Sequence, residues 1–119
     1  MKSIKRKKEF DAKRLLKMVA WLEPSQSTMQ IYADTVAQVQ AMAPGLGLAR
    51  TSAQRQGNIK RLTPLVELVL LRRIASRVEF DPSDADFIAF AERFKWEPAG
   101  LASELTAMMS ERDEMAVPR

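Results

Sequence analysis

Neither cysteine nor histidine occurs anywhere in the 119 residues. The first absence excludes a disulfide framework, a thiolate nucleophile and a zinc–sulfur site. The second removes the commonest general base and a favoured transition-metal ligand. No carboxylate pair fills the gap. Glu104 and Glu111 share a helix face at the repeat of an ordinary solvated surface, with no nucleophile or oxyanion donor beside them. Asp81, Asp84 and Asp86 lack the alternation, the turn glycine and the closing glutamate of a calcium loop. The expectation is a non-enzyme with no catalytic residue, no metal and no cofactor.

Long apolar runs are missing too. The longest, Leu65 to Leu71, is broken by Glu67 and falls far short of the roughly 20 residues that a spanning helix needs. The basic N-terminus is followed by Glu9, Asp11 and more cations in place of an apolar stretch, so it does not read as a secretory signal. These features predict a cytoplasmic protein with no membrane partner. No internal repeat, low-complexity tract or long linker divides the chain. With 46% hydrophobic and 29% charged residues, its length suits one soluble globular domain that buries a single core.

What is present is charge sorted along the chain. Residues 1–20 carry eight Lys/Arg against two acids, and residues 21–49 carry none against two. Residues 50–77 then carry seven against one, and residues 78–119 four against ten. Two basic blocks in the first 77 residues create a local positive potential that an even spread of the net +4 would not.

Hydrophobic spacing predicts an all-α, compact, single-domain bundle of about five helices. Ala12, Leu15, Leu16, Val19 and Leu22 fall on one face of a helix over 9–22, which Pro24 stops. Ser25 or Ser27 caps a second helix over 27–43, with Met29, Tyr32, Val36, Val39 and Ala43 as its apolar stripe. The Pro44-Gly45 stretch forces a loop, and residues 50–61 read as a short helix or an ordered loop. Thr63-Pro64 marks the cap and first position of a helix over 64–78, apolar on most sides and therefore buried at the centre. Asp81-Pro82-Ser83-Asp84 opens a helix with an inner face of Phe87, Ile88, Phe90, Ala91 and Phe94, and Glu97-Pro98 opens the last. The expected organisation is a basic arm over 1–8, a helical domain over 9–113 and a frayed tail over 114–119.

Three groups of residues are candidates for binding. The first comprises Lys5, Arg6, Lys7 and Lys8 of the arm with Lys13, Arg14 and Lys17 on the polar side of the first helix. Clustered cations bind phosphates by releasing condensed counterions, without reading sequence. The second comprises Arg50, Gln54, Arg55 and Asn58, with Lys60 and Arg61. Ala43, Gly47 and Ala53 are spaced much as in bacterial helix-turn-helix modules, and Arg, Gln and Asn are base-reading side chains. Pro44, Gly45 and Gly57 depart from that pattern. The third comprises Arg72, Arg73 and Arg77, for which internal ion pairs with Asp81, Asp84, Asp86 or Glu92 are the leading expectation. The aromatic residues do not interleave with the cations along the sequence and are assigned to the core.

These observations point first to a small nucleic-acid-binding or regulatory protein, for DNA in preference to RNA, that grips phosphates with its arm and basic face. The alternative is a protein-interaction module, such as an inhibitor, adaptor or assembly subunit. It would use its acidic C-terminal helices or the uncharged second helix, or dock its basic face on an acidic protein surface. A homodimer suits the helix-turn-helix reading, although no heptad repeat enforces one.

Overall fold

A computed structural model of the chain describes residues 10–43 and 52–116, with the backbone alone at 52–61 and 115–116. Five helices occur among these residues: α1 Ala12–Leu22, α2 Thr28–Met42, α3 Ser52–Ala75, α4 Ala85–Arg93 and α5 Pro98–Ala116. None of the described residues forms a strand, so the fold is all-α. No helix among them is long and apolar enough to cross a membrane.

Short polar side chains start three of the helices. Asp11 accepts from the Arg14 N–H at 2.8 Å, Ser27 from the Gln30 N–H at 3.1 Å and Asp84 from the Phe87 N–H at 3.0 Å. Each satisfies a first-turn donor that has no intrahelical acceptor. The start signal at Asp81-Pro82 works differently from expectation. Asp81 accepts from the N–H and hydroxyl of Ser83 at 2.9 and 2.7 Å, closing a turn, and α4 begins only at Ala85. Those two hydrogen bonds, the backbone one foremost, hold the Asp81 carboxyl below its ordinary pKa.

Two expectations need correction. The central helix does not start at Pro64 but at Ser52, so Gly57 and Pro64 both lie inside it. An interior proline forfeits one backbone hydrogen bond and costs about 3 kcal/mol relative to alanine. Burial downstream offsets that cost, because Leu68, Leu70, Leu71 and Ile74 are all but fully enclosed. The stripe assigned to α2 is also displaced. Its buried residues are Ile31, Thr35 and Val39, while Met29 is 83% and Tyr32 54% exposed. Both sets repeat at helical spacing. Thr35 takes the inner position because its hydroxyl donates to the Ile31 carbonyl at 2.8 Å, which satisfies it without water.

α3 lies at the centre, packed against α1, α2 and α5, and α4 leans on α5. The main core joins Leu15, Met18 and Val19 of α1 to Leu70, Leu71 and Ile74 of α3, Phe87 and Phe90 of α4, and Leu101 and Leu105 of α5. A smaller cluster of Val39, Leu65 and Val69 joins α2 to α3.

Ion pairs fix how these helices sit. Glu23, the C-terminal cap of α1, is buried, and its carboxylate accepts from Arg73 Nε at 2.8 Å and Nη2 at 2.7 Å. The same Arg73 Nη2 donates to Gln26 Oε1 at 3.0 Å, and Arg77 stands 3.6 Å from Glu23. On the far side, Arg112 Nε donates to the buried Glu67 at 2.8 Å and Arg72 to Asp113 at 2.7 Å, joining α5 to α3. Arg72, Arg73 and Arg77 are thus engaged internally, as expected. Their partners are Glu23 and Asp113, not the acids near them in sequence, because the last turns of α3 face the end of α1 and the flank of α5.

The Arg73 hydrogen bonds hold the Glu23 carboxyl below its ordinary value of 4.5, with burial opposing them. Since the folded pKa is the lower one, the stabilisation is fully present above the ordinary, unfolded-chain value and is lost as pH falls through the folded pKa. Glu23→Ala leaves Arg73 partly buried without its counter-charge and should cost about 3 kcal/mol in urea unfolding at neutral pH. Between the ordinary carboxylate range and the acid limit, the parent should lose stability with falling pH more steeply than the variant.

Candidate functional site

The polar side of α1 follows from its burial pattern. With Leu15, Met18 and Val19 fully enclosed, the helical repeat turns Lys13, Arg14 and Lys17 outward. Lys13 and Lys17 are exposed and Arg14 is half-buried. The three, with Asp11 and Phe94, line an open cleft of about 400 Å³ between α1 and the end of α4. Among the described residues none of these three cations forms an ion pair, in contrast to Arg72, Arg73, Arg77 and Arg112. Asp11 is occupied in capping α1.

Aromatic packing builds the other wall. α4 ends in a reversal in which the Trp96 N–H donates to the Ala91 carbonyl at 2.9 Å and the Lys95 N–H to the Glu92 carbonyl at 3.0 Å. This is the Schellman arrangement, and it puts Lys95 in the left-handed region at φ 60°. The reversal sends Phe94 to one side and Trp96 to the other. The Phe94 ring meets Trp21 edge-on at 6.3 Å, and Trp21 also contacts Phe90 at 5.9 Å. Trp96 stacks on Phe10 at 4.8 Å, and the Arg14 guanidinium sits over the other partner of that stack, 5.8 Å from the Phe10 centroid. Arg14 is thereby held by a cation–π contact, while Lys13 and Lys17 remain at the open rim.

Trp21 is 40% exposed even though it touches two core phenylalanines. It lies one and two helical turns beyond Lys17 and Lys13, on the same side of α1. Aromatic and cationic residues are therefore neighbours here, contrary to the assignment of all the aromatics to the core. The signal was available in the 13, 17, 21 spacing. What hid it was Phe94, which reaches the site from a helix far away in sequence.

The other sequence candidates are distributed as follows. Lys5, Arg6, Lys7, Lys8 and Arg50 lie outside the described residues. Gln54, Arg55, Asn58, Lys60 and Arg61 belong to the first half of α3 by their backbone, and their side chains lie outside the description. The Pro44-Gly45 stretch and Gly47, on which the helix-turn-helix spacing turns, also lie outside the described residues. Asp34 is the one charged residue of α2. Tyr32 and Val36 line an apolar groove of about 220 Å³ with Ala12, Leu62 and Val66. No protein-family model, curated protein or solved structure matches this chain.

The strained Lys95 is a point at which the geometry of the site can be tested. A left-handed conformation costs a side-chain-bearing residue about 1 kcal/mol that glycine does not incur. Lys95→Gly should therefore raise stability by up to about 1 kcal/mol in thermal or urea unfolding. In a Trp96→Phe background, where Trp21 is the sole tryptophan, its emission should be the same with and without Lys95→Gly.

Proposed function

We propose that this chain is a small nucleic-acid-binding protein that grips backbone phosphates with the outer side of α1, and that no reaction is involved. The observation that carries the reading is the row of Lys13, Arg14 and Lys17 in an open cleft with no ion-pair partner among the described residues. Cations that the fold does not use are free to replace the counterions condensed on a phosphate backbone. Four other arginines stabilise helix contacts, so the positive charge left for a ligand is concentrated on α1 and, in sequence, on the arm over 1–8 and on residues 50–61. In sequence, Lys5, Arg6, Lys7 and Lys8 precede this row, and Arg55, Lys60 and Arg61 supply further cations for the same phosphate ligand. DNA is the favoured ligand.

The α2 groove favours a second reading, in which an uncharged apolar face contacts protein. Met29, Tyr32 and Met42 are three of the four large hydrophobic residues exposed among the described positions.

Fluorescence anisotropy with labelled DNA and RNA, at about 50 and 200 mM salt, separates the two. The phosphate reading expects affinity to fall by orders of magnitude between those salts. Lys13→Ala with Lys17→Ala should weaken binding on every sequence alike and lower the salt slope by about 2, one for each lost contact. No binding at the lower salt would contradict the phosphate reading and leave the α2 face as the contact surface.

A further inference from the structure

We propose that Trp21 is a base-stacking residue and that the α1 cleft is a site for single-stranded nucleic acid. The inference rests on the phosphate reading of α1 and names the form of ligand that this cleft takes. Two independent features converge on it. The cations of the cleft suit a phosphate backbone, and a tryptophan 40% exposed stands one helical turn beyond the last of them. Lys13, Lys17 and Trp21 follow one another at four-residue intervals, about 6 Å apart along the helix axis. That is the scale of one nucleotide step in an extended strand, so a chain whose phosphates meet Lys13 and Lys17 brings its next base to the indole.

The indole is held ready for such a partner. Phe94 touches it edge-on and Phe90 backs it at a tilt of 42°, which fixes the ring without enclosing it. Phe94 lines the cleft and also touches Trp21, so one ring links the cationic cleft to the indole beside it. A duplex offers phosphates and base edges but keeps its base faces stacked inside, whereas an unpaired strand offers its base faces as well. Only the unpaired strand uses both halves of this surface. A positive groove beside a stacking aromatic is also how single strands are bound without sequence preference, since every base has a π-face.

The test uses tryptophan emission and affinity together. Trp96→Phe leaves Trp21 as the sole tryptophan. It preserves the stack on Phe10 and removes an indole N–H that is buried without an acceptor among the described residues. In this background a thymidine oligomer, or a uridine oligomer of the same length, should quench the Trp21 emission as it binds. Trp21→Leu keeps apolar bulk against Phe90 and Phe94 and should weaken binding of both strands roughly 5- to 150-fold with the salt slope unchanged. Trp21→Phe should recover part of that loss, and binding to a mixed-sequence duplex should be the same in all three proteins. A strand that binds without changing the emission, or that binds Trp21→Leu as tightly as the parent, overturns the stacking proposal. If that binding is still weakened by Lys13→Ala with Lys17→Ala, the phosphate reading survives alone. If neither strand nor duplex binds at low salt, both fail.

Discussion

Glu23 is the constraint on which the rest of the molecule depends. A carboxylate at the C-terminal end of a helix faces the negative end of the helix dipole, and burial makes its charge costlier still. Arg73 resolves both problems with two short hydrogen bonds from one guanidinium, and Gln26 takes up a further donor. The outcome is geometric as much as energetic. The end of α1 and the loop after it are fastened to the last turns of α3, and this fixes the rotation of α1 about its own axis. Leu15, Met18 and Val19 then face the core, and Lys13, Lys17 and Trp21 face outward.

That fastening sets two groups of cations apart among the described residues. At the end of α3 and on α5 they are structural: Arg72, Arg73, Arg112 and, just beyond α3, Arg77 each reach a carboxylate on another element. On α1 none forms an ion pair among the described residues, and only Arg14 is held, by its contact with the Phe10 ring. The sorting of charge along the sequence has a different meaning at each place. The basic block over 50–77 ends in arginines that hold helices together, and part of the acidic block over 78–119 answers them through Asp113. The cations of the first basic block on α1 have no such answer among the described residues, and their cleft is completed by Phe94 at the end of α4. Nucleic-acid binding is proposed from that difference and not from net charge.

Much of the architecture was legible from periodicity and caps. The inward face of α1, the caps Ser27 and Asp84 and the many-sided burial of the central helix follow from local chemistry. Elsewhere local rules lost to packing. Thr63-Pro64 reads as a helix start, yet α3 passes through it because the apolar run downstream is buried on several sides. In α2 two stripes compete, and the choice turned on whether Thr35 could satisfy its hydroxyl indoors. The ion-pair partners were beyond local reasoning, since Glu23 and Arg73 are fifty residues apart in sequence. The site was half legible. Its cations stand out in the chain, but its aromatic wall exists only because the reversal at Lys95 delivers Phe94 beside Trp21.

The account is tested most directly by amide and indole chemical shifts of isotope-labelled protein titrated with a thymidine oligomer at low salt. Shifts that cluster on Lys13, Arg14, Lys17, Trp21 and Phe94, with α2 and the last turns of α3 unmoved, are the predicted result. Shifts centred on Met29, Tyr32 and Val36, or spread along Arg72, Arg73 and Arg77, would contradict it.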